Sequence, residues 1–233
     1  MNKKVYTRTN DDGEDFEPLA NQFLQVSVRA NVSHRFDIYL DEEIGPVSYY
    51  RNVVRTLEDA SEDDIVVLHI NSPGGRLDAT KTIIEALKST EAHTVALIVG
   101  HASSAASIIC MYCQDVIVTD SAEALIHCPR GGTGYGKVQD VLSSSQQFMR
   151  STERLFKEAY AGLLSPEELS EVIAGKELFL DCDELRERFT QRDEYLLKLH
   201  EGEIEQDESD QPGEIASPAE VRSQVGRSKT KEK

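Results

Sequence analysis

The stretch Ile65-Val66-Val67-Leu68-His69-Ile70-Asn71-Ser72-Pro73-Gly74-Gly75 decides how this chain folds. A compact run rich in β-branched residues is the pattern of a strand covered on both faces. Asn, Ser, Pro and two glycines directly after it stop the strand in a turn. Helical spacing then begins, with Leu77, Ile83, Ile84 and Leu87 on the inward face. Strand, glycine turn and helix together form the repeating unit of an α/β fold.

The alternation continues on both sides. Upstream, residues 36–40 read as a short strand and 46–60 as a helix, with Val47, Tyr50, Val53, Val54 and Leu57 on one face. Downstream, 94–99 reads as a second buried strand, 104–113 as a core helix, and 116–118 and 124–126 as short strands. A glycine-rich loop over 131–136 precedes a long amphipathic helix over 138–161, carrying Val141, Leu142, Phe148, Met149, Leu155, Phe156 and Tyr160 at helical spacing, with Gly162 placed to end it. Ser165-Pro166-Glu167-Glu168 then starts another helix with an N-cap, a proline at the first position and a capping box. The pattern predicts an α/β domain with a largely parallel sheet.

The ends read differently. Residues 1–25 are polar and acidic, and six of the ten residues 201–210 are acidic. The folded domain is expected over 26–196. The tail over 197–233 has too little apolar surface to offset its ordering entropy and reads as disordered. With 25 basic against 42 acidic residues the formal charge is −17, which argues against nucleic acid as a partner, because phosphate contacts need a basic stripe. No stretch approaches the roughly 20 apolar residues that span a bilayer. Met1-Asn2-Lys3-Lys4 leads into polar sequence rather than an apolar signal segment. The expected location is therefore the cytoplasm, without membrane contact. Cys110 and Cys113 form a C-x-x-C with no second ligand pair, in an apolar segment with Ile108, Ile109 and Met111. They read as buried small residues rather than as metal ligands, and no metal or cofactor is called for.

Three segments carry chemistry, each placed after a strand, where open α/β sheets build their sites. Gly74-Gly75 leaves backbone amides exposed at a helix start, an arrangement that can stabilise an oxyanion or be an ordinary tight turn. Gly100-His101-Ala102-Ser103-Ser104-Ala105-Ala106-Ser107 offers hydroxyls among small residues before an apolar helix, and either Ser103 or Ser104 can serve as its N-cap. Ile126-His127-Cys128-Pro129 puts a histidine at a strand end; His69 lies inside a strand pattern, and His93 and His101 lack this turn context.

In content, order and spacing the three segments resemble the proteolytic subunit of the Clp protease, over most of residues 35–190. The departure described below suits a divergent or viral relative. The resemblance implies an α/β fold of the Clp-protease/crotonase type, a spiral of β-β-α units with a largely parallel sheet and a long handle helix. It implies a serine endopeptidase with Ser104 as nucleophile, His127 as general base, and the amides of Gly75 and Ala105 as oxyanion hole. Ser104→Ala is then expected to abolish activity, and Ser103→Ala or Ser107→Ala to be far milder. The family also implies a homo-oligomeric ring, usually heptameric, enclosing a chamber for peptide substrates and fed by an AAA+ unfoldase. The family's third catalytic residue is an aspartate, and its spacing falls here on residues 173–176, which contain none. Glu177 is the nearest carboxylate, followed by Asp181 and Glu171; a dyad, or Lys157 as base, are further alternatives. Two other readings remain: a catalytically silent ring subunit, and a crotonase-type enzyme acting on acyl-coenzyme A.

Overall fold

A computed structural model of the chain describes residues 33–130 and 135–202. The N-terminal segment 1–25, the tail from 203 onward and residues 131–134 of the glycine-rich loop lie outside the described residues.

Among the described residues six strands form one sheet. They are β1 (Arg35–Leu40), β2 (Ile65–Ser72), β3 (His93–Ser103), β4 (Asp115–Val118), β5 (Glu123–Ile126) and β6 (Leu178–Leu180). The order is β1-β2-β3-β5-β6, with β4 also pairing with β3. All neighbours are parallel except β5 and β6. The helices are α1 (Arg51–Asp59), α2 (Leu77–Ser89), α3 (Ala105–Cys110), α4 (Val138–Ala159), α5 (Pro166–Ile173) and α6 (Cys182–His200). This is the expected α/β architecture, with a largely parallel sheet and the long helix α4.

Strand β3 is longer than its apolar run. Its first half pairs with β4 through Val95↔Asp115 to Ile98↔Val118, and its second half pairs with β5 through His101↔Glu123 to Ser103↔Leu125. Between the halves the register against β2 jumps from Ile70↔Ile98 to Ser72↔Ala102. The Asn71 side chain fills this irregularity and accepts a hydrogen bond from the His101 N–H at 3.1 Å. A Cβ at position 100 would stand 2.3 Å from Asn71 Oδ1 and would have to displace that amide. The strand expected over 94–99 thus runs on through the small residues to Ser103, and the helix expected over 104–113 is confined to Ala105–Cys110.

The helix expected over 46–60 begins as a 3-10 turn, Val47–Tyr50, before α1. The Tyr49 N–H donates to the Pro46 carbonyl at 2.9 Å, an i→i+3 bond that tightens the first turn. Helix α5 carries the capping box expected of Ser165 and Glu168.

The core lies where β2 meets α2 and α3. Val66, Leu68, Ile70, Ile83, Ile84, Ile108 and Ile109 are all buried, each such side chain contributing on the order of 1.5–3 kcal/mol. Cys110 and Cys113 belong to this core, and burial pushes the Cys110 thiol up to about 12. On α4 only the C-terminal half is covered: Leu155, Phe156 and Ala159 are buried, whereas Val138 and Leu142 are 75% and 53% exposed. Helix α6 was not anticipated. It buries Leu185 and Phe189, and the Arg192 guanidinium donates to the carbonyls of Met111 and Ala159.

Candidate active site

The parallel pairing of β3 with β5 brings Ser104 and His127 together. Ser103 pairs with Leu125, and the Ser104 N–H donates to the Leu125 carbonyl at 2.7 Å. Ser104 is the residue after β3 and His127 the residue after β5, so both strands end at one edge. Both side chains are half-buried and line a cleft of about 710 Å³. Gly75 and Ala105 line it too, with Leu77, Ile108, Phe148 and Phe156 as its apolar wall.

Ser104 has φ 54 and ψ −122, making it the only described non-glycine residue with positive φ. Such a conformation costs an L-residue on the order of 1–3 kcal/mol and persists only where the surroundings enforce it. Here three contacts do so. Gly74, at φ 88, packs against Ser103, Ser104 and Ala105 so closely that any Cβ would overlap them. Behind Ser104, the Ser107 hydroxyl donates to the Ser104 carbonyl at 2.7 Å. Ser107 Oγ also lies 2.7 Å from the Tyr160 hydroxyl. Since the Ser107 proton is already committed, Tyr160 donates to Ser107. Burial holds the Tyr160 phenol well above its ordinary pKa, so it stays a neutral donor. Neither Asn71 nor Tyr160 was singled out in the sequence as part of the site. Asn71 stands in the quoted Asn-Ser-Pro-Gly-Gly run, whereas Tyr160 is distant in sequence and looks like an ordinary core residue.

The glycine turn is pinned from a second side. The Ile44 N–H donates to Gly74 O at 2.7 Å and the Arg76 N–H donates to Ile44 O at 2.9 Å. A Cβ on Gly75 would stand 2.3 Å from the Ile44 oxygen. This clamp leaves the Gly75 N–H without a hydrogen bond to any described residue. Ala105 is the first residue of α3, so its N–H has no intrahelical acceptor. A Cβ on Gly74 would lie 2.8 Å from that nitrogen, which fixes how near the glycine turn comes to it.

The His127 Nδ1 lies 2.8 Å from the Cys128 carbonyl oxygen. A carbonyl only accepts, so Nδ1 carries the proton and Nε2 is left as the acceptor. No hydrogen bond joins Ser104 Oγ to His127 in this arrangement. Such contacts often tighten only when substrate binds.

The carboxylates expected near His127 are engaged elsewhere. Glu177 binds the Arg130 guanidinium. Asp181 caps α6, accepting from the N–H groups of Asp183 and Glu184, a capping box legible as Asp181-Cys182-Asp183-Glu184. Glu171 pairs with Lys176. Lys157 pairs with Glu153 one turn away on α4. Among the cleft's charges, Arg76 forks onto both oxygens of Asp78 and holds that carboxyl down at about 2.

A protein-family model described as Clp protease matches residues 24–183. Curated relatives include the ATP-dependent Clp protease proteolytic subunits of Streptococcus mutans, 31% identical over 103 residues, and of Lactococcus lactis, 30% identical over 101 residues. Those alignments cover 43% and 42% of this chain and 52% and 50% of the relatives, so the chain spans about half the length of the curated relatives it matches. With the family model spanning the sheet, the glycine turn, Ser104 and His127, the chain belongs to the Clp protease family.

Proposed function

We propose that the chain is a serine endopeptidase that hydrolyses peptide bonds through an acyl-enzyme. Ser104 Oγ attacks the scissile carbonyl carbon and passes its proton to His127 Nε2. The carbonyl π pair moves onto oxygen, which the N–H groups of Gly75 and Ala105 receive. Collapse of this intermediate breaks the C–N bond, and His127 gives the proton to the leaving amine. Water repeats the sequence and releases the acid. In the resting arrangement the Cys128 carbonyl holds the imidazole in the required tautomer. Glu177 is the carboxylate proposed to stabilise the imidazolium.

The observation that carries this reading is the strained backbone of Ser104, facing a cleft it shares with His127. Strain of this kind at a strand-to-helix turn is how a nucleophilic serine is thrust out of a sheet. The apolar wall of Phe148, Phe156, Leu77 and Ile108 suits an uncharged substrate side chain.

The assembly proposed is a ring, heptameric as is usual in the family, enclosing the sites and fed by an AAA+ unfoldase in the cytoplasm. The exposed apolar residues on the first half of α4 support contact with further copies of the chain. No helix among the described residues is long and apolar enough to cross a membrane. The test is hydrolysis of an uncharged blocked peptide amide by wild type, Ser104→Ala and His127→Ala. Activity should be lost by several orders of magnitude in both variants, with the circular dichroism spectrum unchanged. Hydrolysis that survives Ser104→Ala would overturn the mechanism.

A further inference from the structure

The β5–β6 ladder pairs Ala124 with Leu180, Leu125 with Phe179 and Ile126 with Leu178. Extended one step beyond the paired residues, the same antiparallel register would set His127 opposite Glu177. Residues facing each other across such a pair have Cβ atoms about 4.5–5.5 Å apart, within easy reach of a glutamate side chain. Yet the Glu177 carboxylate binds Arg130, three residues beyond His127 and on the wall of the same cleft, while the His127 Nδ1–H turns to the Cys128 carbonyl.

We infer that Arg130 is a positioning residue that withholds the Glu177 carboxylate from His127, so that the site rests in a latched arrangement. The inference rests on the peptidase reading above. Two cations compete for one carboxylate. Arg130 is charged at all times, whereas in the proposed mechanism His127 takes on charge with the Ser104 proton. The latch is weak by construction: the Arg130 side chain is 78% exposed and that of Glu177 37%, and pairs in that setting are only marginally stabilising. When the imidazolium forms, Glu177 can leave Arg130 and take the Nδ1–H in place of Cys128 O. Arg130 therefore sets how often the carboxylate is available, and acts on His127 only through Glu177.

That last property distinguishes a latch from a structural role. Arg130→Gln should raise kcat on an uncharged blocked peptide ester about two- to fivefold, the range that loss of one exposed pair allows, with KM unchanged. Arg130→Lys, which keeps the charge, should stay near wild type. In a Glu177→Gln background, Arg130→Gln should change nothing. The inference is overturned if Arg130→Gln leaves kcat unchanged or lowers it, or if its effect persists in the Glu177→Gln background. Fluorophosphonate labelling of Ser104 in each variant separates the two levels. Labelled Ser104 with no gain in kcat defeats the latch alone, whereas Ser104 unlabelled throughout defeats the peptidase reading and the latch with it.

Discussion

A Cβ placed on Gly74 would stand 2.7 Å from the Cβ of Ser104, closer than side-chain carbons approach in folded proteins. The glycine turn after β2 and the serine turn after β3 are therefore packed as one unit. Gly74 needs its positive φ, and Ser104 needs Gly74 to have no side chain. The site is built where two strand ends meet with no room between them.

Gly74→Ala tests this contact. Strain at a positive-φ position costs on the order of 1–3 kcal/mol, so Tm should fall while the fold persists. A displacement of about 1 Å at a nucleophile costs on the order of 10²-fold in rate, so the labelling rate of Ser104 should fall by about that factor. Labelling at the wild-type rate would show that the turn does not set the serine.

The chain from Tyr160 through Ser107 to the Ser104 carbonyl makes a second prediction. Tyr160→Phe removes one buried hydrogen bond and should cost on the order of 1 kcal/mol. Ser107→Ala removes the donor to Ser104 and strands the Tyr160 hydroxyl, and should cost more, on the order of 1–3 kcal/mol. It should also slow acylation more than Ser103→Ala does. From sequence alone Ser103 and Ser107 look equally dispensable. Chemical denaturation of the three variants gives the ranking, and equal stability of Ser107→Ala and Ser103→Ala would refute the support role.

Acid stability should report the junction of α5 and α6. Arg188 forks onto both oxygens of Glu168, and the Ser165 N–H also donates to that carboxylate. The guanidinium is the main reason that Glu168 is held down at about 2. Because the folded value lies below the ordinary glutamate value, the contribution is fully present above about pH 4.3 and is lost as pH falls towards 2. Wild type should therefore exceed Glu168→Gln in Tm at pH 6, and the gap should close between about pH 4 and 2. A gap independent of pH would mean that the pair adds nothing.

Much of this arrangement is legible in the chain. The run from Ile65 to Gly75 gives strand, turn and helix because burial and backbone sterics act locally there. Ser104, His127, Gly75 and Ala105, marked by their resemblance to one family, share one cleft in the fold. What stayed hidden depends on register. The irregularity opposite which β3 runs through Gly100 to Ser103 involves Asn71 on a neighbouring strand, so the small residues after the expected strand over 94–99 prolong it. Glu177 is only the carboxylate nearest to the family's spacing, and its engagement by Arg130 depends on where the chain places Arg130. No periodicity encodes that placement.

The central claim is that Ser104 is the nucleophile and His127 activates it. The most direct measurement is mass-spectrometric mapping of the full chain after treatment with a fluorophosphonate. The account predicts a single adduct on Ser104, formed in wild type, absent in Ser104→Ala and slowed at least 100-fold in His127→Ala. No adduct on Ser104 in the folded wild-type protein, as expected of a silent ring subunit or of an acyl-coenzyme A enzyme, would contradict it, as would an adduct on Ser103.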